Sequence, residues 1–285
     1  GVRRVMTTMV VQLDGSALAE RAIRPASSIA ARLDHARVLL VSCAPDDIDA
    51  TQHELDDRAR LYSEVVEIET RIVGTGDPAE VLLAIAATEP DGMLCMATRG
   101  KGAIRAAVLG SVSTHVVCRS TQPLVLVGPQ CRTTLLPAER GRLLMCSDGS
   151  ELSDSIIPVA ATWCDRLEFE PWLTEVVGPD EDPEPAHRPH VNREVEAAEA
   201  HLATLAARLQ TSTSRVRTKV LHGAPGRSIP WLAERLPAAL IAMATHGRGG
   251  LTRLTMGSVA NEVVRHAPCP VLITRPTDVP PCDDE

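Results

Sequence analysis

The feature that most constrains this chain is a phrase it writes twice. Ala97-Thr98-Arg99-Gly100 is followed by nine residues and then Gly110-Ser111. Ala244-Thr245-His246-Gly247 is likewise followed by nine residues and then Gly257-Ser258. Each copy comes after a short apolar run and before a segment with helical spacing. A strand, a glycine-bearing loop and a helix N-terminus together present backbone N–H groups and a favourable dipole to an anion, so the phrase reads as a phosphate cradle.

The repeat extends beyond the phrase. Leu143 to Ser150 matches the first strand and its Asp14-Gly15-Ser16 at an offset of 134. Gly223-Ala224-Pro225 matches Gly76-Asp77-Pro78 at an offset of 147, and Pro270 matches Pro123 at that same offset. The 13-residue difference requires an insertion between the second and third strands of the second half. Gly178 to His190 has that length, is Pro-rich and acidic, and reads as an exposed loop. Its His187 and His190 read as solvated rather than as metal ligands. Gly128 to Gly141 reads as a linker. The expected organisation is a first domain over 1–130, a linker over 131–141, a second domain over 142–277 and a tail over 278–285. Each half, at about 130 residues, can bury a core of its own.

Within each half, strand and helix signals alternate. Arg4 to Leu13 reads as a strand, and Ser16 as the N-cap of a helix through Leu33, with Pro25 implying a kink or break. Val38 to Val41 is apolar throughout, as in a strand buried on both faces. Further along come a helix-compatible stretch over 47–62, an alternating strand over 65–73 and a helix opened by Pro78. Met93 to Met96 and Pro123 to Val127 read as further buried strands. This order predicts an α/β doubly wound parallel sheet in each half, joined by right-handed crossovers.

Composition narrows the partners. The net charge is −8, and the chain holds one Phe, one Tyr and three Trp. The charge argues against nucleic acid and anionic membranes, and the few aromatics against stacking of single-stranded bases. No apolar run approaches the ~20 residues of a membrane helix. The N-terminal arginines have no apolar stretch behind them, so no secretion signal is expected. The eight cysteines form no C-x-x-C pair and several sit in apolar strands, which suggests reduced thiols and a cytoplasmic setting.

Asp14 and Asp148 stand at strand ends, on the carboxyl edge where open α/β sheets bind ligands. The small residues of the phrase let backbone N–H groups approach an anion. Lys101 and Arg105, and Arg248 and Arg253, add positive charge in the two loops. There is no Walker loop, no G-x-G-x-x-G after the first strand and no serine elbow. Beyond the two aspartates no catalytic base is evident, and His115 and His266 read as surface or capping groups. No catalytic residue and no dedicated metal site is assigned.

The doubled Ala-x-x-Gly-(nine)-Gly-Ser phrase resembles the G-x-x-G-(nine)-G-[ST] motif of the universal stress protein family, in its tandem form. Gly247 to Leu251 and His266 to Leu272 also look like that family. The resemblance covers nearly the whole chain. It implies two tandem five-stranded, Rossmann-like domains of the adenine nucleotide alpha-hydrolase-like kind. It implies ATP as ligand, with ribose or a bound Mg²⁺ near Asp14 and Asp148. Phosphates would lie on Ala97, Gly100, Gly110 and Ser111, and on Ala244, Gly247, Gly257 and Ser258. Adenine would meet backbone near Ser42 and Cys43. It also implies pairing of the halves through Pro123 to Val127 and Pro270 to Thr274 as a pseudo-dimer, with a homodimer of whole chains as a further expectation. The expected role is a stress-response regulator or sensor with little turnover. Alternatives are an interaction scaffold that has lost nucleotide binding, because both first glycines are alanine, and a slow ATPase using Asp14 or Asp148.

Overall fold

The computed structural model describes residues 6–43, 45–89, 91–99, 109–132, 141–178, 189–209, 215–248 and 256–276. The described chain forms two compact units, the first running to Pro129 and the second taking up the chain from Gln130. The first unit runs β1 (Thr7–Gln12), α1 (Ile23–Ala30), β2 (Ala36–Cys43), α2 (Ile48–Tyr62), β3 (Glu67–Val73), α3 (Pro78–Thr88), β4 (Gly92–Ala97), α4 (Ser111–Arg119) and β5 (Leu124–Val127). Its strands are all parallel, in the order β3-β2-β1-β4-β5.

The second unit runs β6 (Arg142–Ser147), α5 (Glu151–Asp154), α6 (Ile156–Leu167), β7 (Glu170–Val177), α7 (Pro189–Arg208), β8 (Arg217–His222), α8 (Pro225–Arg235), β9 (Leu240–Ala244), α9 (Ser258–His266) and β10 (Val271–Thr274). Its order, β8-β7-β6-β9-β10, is the same winding, again parallel throughout. The doubly wound α/β fold expected from the alternation of signals is what the chain adopts.

The reason lies in burial. Met9 to Val11 and Val38 to Val41 are wholly inaccessible, as strands covered on both faces must be. Leu143 to Met145 and Leu240 to Ala242 do the same in the second unit. Helix starts follow their caps. The Asp77 carboxylate accepts the N–H groups of Ala79 and Glu80, and Pro78 occupies the first turn of α3. Asp47 caps α2 through the N–H of Ala50.

Four sequence expectations shift. The single helix over 16–33 is a 3₁₀ turn over Ala19–Ala22 followed by α1. The change of winding falls just before Pro25, which therefore sits in the first turn of α1, where its missing N–H leaves no bond unmade. Arg4 and Val5 of the expected first strand lie outside the described residues, and β1 ends at Gln12 rather than Leu13. Pro189 and His190, expected in the inserted loop, are the first residues of α7, while 179–188 lie outside the described residues. Six described cysteines are free thiols, but Cys118 on α4 is disulfide-bonded, contrary to the expectation of reduced thiols.

Ion pairs brace the amino edge of each sheet, away from the ligand edge. In the first unit Glu89 is almost buried between Arg37 at 2.6 Å and Arg71 at 2.9 Å. Burial opposes its charge, but the two guanidinium groups outweigh it and hold the carboxyl below the usual range. Glu170 fills the same role between Arg142 and Arg217 in the second unit.

Candidate functional site

In each unit the chain winds outward from one central strand and returns on its other side. The strand order therefore reverses between β1 and β4, and between β6 and β9. Crevices form at such switch points, outside the carboxyl ends of the strands. Asp14 follows β1 and Ala97 closes β4. Asp148 follows β6 and Ala244 closes β9. The residues singled out from sequence thus flank the crevice in both units.

The strand-end loops share one local design. Gly15 and Gly149 take φ of 71° and 80°, a left-handed turn that favours glycine. That turn lets Asp14 accept the N–H of Ser16 at 3.0 Å, and Asp148 the N–H of Ser150 at 3.0 Å. The doubled phrase has a shared neck as well. Thr98 and Thr245 are buried, and each donates its N–H to the adjacent last strand, at Val127 O and Thr274 O. Their carbonyls accept the N–H groups of Gly110 at 2.7 Å and Gly257 at 2.8 Å. Those two glycine N–H groups therefore close the neck of the loop. The N–H groups offered to an anion are those of the first turns of α4 and α9, neither of which has a side-chain cap. Ala97 and Ala244 lie in extended strand, where a methyl imposes no backbone strain.

In the first unit a small cleft opens here, lined by Asp14, Ala97, Arg99, Gly110, Ser111 and their neighbours. A carboxylate, a guanidinium and a helix N-terminus thus converge on one opening. A Cβ built on Gly110 would make only ordinary contacts, with nothing nearer than 3.7 Å. Ser42 is buried and Cys43 half-buried at the end of β2. Burial, helped by the charge of Asp77, pushes the Cys43 thiol up to about 11, so it stays protonated at neutral pH. Gly100, Lys101 and Arg105 lie outside the described residues.

The second unit places the same kinds of residue but joins them differently. Asp148 accepts the Ser150 hydroxyl at 2.6 Å and the Arg248 N–H at 2.7 Å. A Cβ on Gly247 would stand 2.0 Å from the Asp148 carboxylate, so a larger residue here would displace that side chain. Burial raises the Asp148 pKa, but hydrogen bonds from Ser150, the Arg248 backbone and Ser153 outweigh it and leave it below the usual range. His246 replaces Arg99 and is buried, hydrogen-bonded to Thr245 at 3.0 Å. Arg253 lies outside the described residues.

A chain of polar groups that sequence reasoning missed continues from this site. Glu175, 3% exposed, accepts from His201 at 2.9 Å and from Arg248 at 3.4 Å. The other nitrogen of His201 lies 3.0 Å from Asp154, which also accepts the Ser147 hydroxyl at 2.6 Å. The available signal was a charged residue, Glu175, inside the strand-like Leu173 to Val177 run. Among the described residues no cluster of His, Cys, Asp and Glu is arranged to hold a metal. No described helix is long and apolar enough to cross a membrane.

Fold and site together define an α/β switch-point protein with a glycine-loop motif after its fourth strand, built twice in tandem. The sequence pattern of the Universal stress protein family matches residues 6–128 and again 139–275. The chain belongs to that family. It is 30% identical over 188 residues to a universal stress protein of Mycobacterium tuberculosis, an alignment covering 64% of this chain and 61% of that protein. It is 43% identical over 61 residues to one from Methanocaldococcus jannaschii, covering 21% of this chain and 36% of the relative. The chain thus spans less than two thirds of the length of these relatives. Among solved structures, a putative universal stress protein from Pseudomonas aeruginosa superposes with a TM-score of 0.63 at 17% identity, covering 96% of this chain and 95% of that one. One from Archaeoglobus fulgidus gives 0.60 at 17% identity, covering 94% and 98%. These likenesses show the fold.

Proposed function

We propose that this chain is a cytoplasmic stress-response regulator that binds ATP on its glycine-loop crevice with little turnover. The observation that carries the reading is the first-unit cleft, where Asp14, Arg99 and the uncapped first turn of α4 converge. Phosphate oxygens suit a guanidinium and free helix N–H groups. A strand-end carboxylate suits ribose hydroxyls or a Mg²⁺ carried by the phosphates. Ala97, Gly110 and Ser111 would lie against phosphate, with Gly100 completing the motif. Ser42 and Cys43 would lie against the base.

The described residues of the cleft are suited to hold and orient a nucleotide, and binding with little turnover is the activity we assign to them. The scaffold alternative rested on the two alanines, and their extended backbone, where a methyl costs no strain, supports the binding reading over it. Isothermal titration with ATP and Mg²⁺ tests the reading. Saturable heat is expected from the wild type and none from the Gly110→Val plus Gly257→Val double variant. Absence of saturable heat in the wild type, or equal heat in the variant, sinks it.

A further inference from the structure

The two crevices share a fold and a motif, but their side chains differ in what they leave open. Strand register gives the comparison. Gln12 pairs with Val41 between β1 and β2, and Cys146 pairs with Thr174 between β6 and β7. One residue further on, Ser42 in the first unit therefore corresponds to Glu175 in the second. The position assigned above to contact with the base holds a small hydroxyl in one unit and a buried carboxylate in the other.

That carboxylate does not stand alone. Arg248, which sequence reasoning assigned to phosphates, turns instead toward Glu175. A Cβ on Gly149 would meet the Arg248 guanidinium at 2.5 Å and Glu175 at 3.0 Å, so both groups lie over the Asp-Gly-Ser turn. Asp148, the counterpart of Asp14, is held by the Arg248 backbone and by Ser150. His201 and Asp154 anchor Glu175 from behind. In the first unit Glu20 occupies the place of Asp154 and pairs with Arg58 at 2.8 Å, with no carboxylate on β2 to reach the crevice.

We infer that the first unit alone is a nucleotide site, and that Glu175 closes the second by holding the Arg248 side chain over the Asp-Gly-Ser turn. A nucleotide entering the second crevice would have to break the Arg248–Glu175 pair and the Arg248–Asp148 bond. It would then bring phosphates and ribose beside two carboxylates. Breaking those two contacts and bringing phosphates close to two carboxylates both oppose that entry. The inference rests on the nucleotide reading above and adds which half carries it.

Titration calorimetry of the full chain with ATP and Mg²⁺ decides it by stoichiometry. The wild type is expected to bind one nucleotide per chain, and Gly110→Val to bind none. Glu175→Ser, which restores the first-unit residue, is expected to raise the stoichiometry toward two. Two nucleotides per wild-type chain, or one retained in Gly110→Val, overturns the inference. So does a folded Glu175→Ser that stays at one. If that variant fails to fold, the wild type and Gly110→Val still decide. No binding to the wild type sinks the nucleotide reading itself, an outcome distinct from these.

Discussion

His201 shows how one residue ties a helix to a strand edge. Burial opposes charge on its ring, but the bonds from Glu175 and Asp154 outweigh that and raise its pKa above the ordinary histidine value. A doubly protonated ring donates to both carboxylates, whereas a neutral ring donates to one and turns a lone pair toward the other. In the unfolded chain histidine titrates near ~6.5. The stabilisation is therefore complete below about that pH and is lost as pH rises through the elevated folded value. Denaturant titrations of the second unit at pH 6 and pH 9 are expected to show this loss. His201→Ala is expected to remove about 2 kcal/mol at the lower pH, the scale of hydrogen bonds to charged groups, and to flatten the pH dependence. A variant with the wild-type slope contradicts the assignment. None of this was legible beforehand, because His201 lies on a polar helix and Asp154 and Glu175 approach it only through folding.

At the scale of elements, caps explain both what was legible and where the two halves diverge. Asp77 and Pro78 announce the start of α3 in the sequence, and α3 starts there. The matched α8 starts at Pro225 behind Ala224, which is extended and offers no side-chain bond. Asp77→Ala is expected to destabilise the first unit by about 1 kcal/mol, and Ala224→Asp to stabilise the second by about 0.5–1 kcal/mol. Equilibrium denaturation read by circular dichroism checks both, and two changes of the same sign contradict the capping account. The helix expected over 16–33 was less legible. Apolar spacing marks a buried face, but it does not distinguish a 3₁₀ turn from an α-turn. The inserted segment posed a similar problem, since Pro189 reads as loop chemistry yet opens α7.

At the scale of the whole molecule, duplication supplied the fold and divergence supplies the asymmetry. Ligand that binds only the folded state stabilises it, by about 2.7 kcal/mol at a hundredfold excess over Kd. With one site, ATP is expected to protect β1, β4 and β5 from hydrogen exchange by up to that amount, while β6, β9 and β10 are unchanged. Equal protection of both sets of strands contradicts the single-site inference, and protection of neither contradicts nucleotide binding. The doubled motif alone pointed to two candidate sites and left open whether one or both bind, because Asp-Gly-Ser and Ala-x-x-Gly recur at matched positions.

Sequence by itself determined the parallel winding, the duplication and the strand-edge position of Asp14, Asp148 and the two glycine loops. It could do so because apolar runs, caps and glycine turns act over a few residues and carry their physics locally. Tertiary structure alone decided what those residues meet. It took the Gly110 and Gly257 N–H groups for the loop necks, set both alanines in extended strand, and left the first α4 turn facing an open cleft. It also closed Asp148 against Arg248 and brought Glu175, His201 and Asp154 into one chain from β7, α7 and α5. Those contacts join residues far apart in the chain, and a carboxylate's partners are fixed only when the elements that carry them pack.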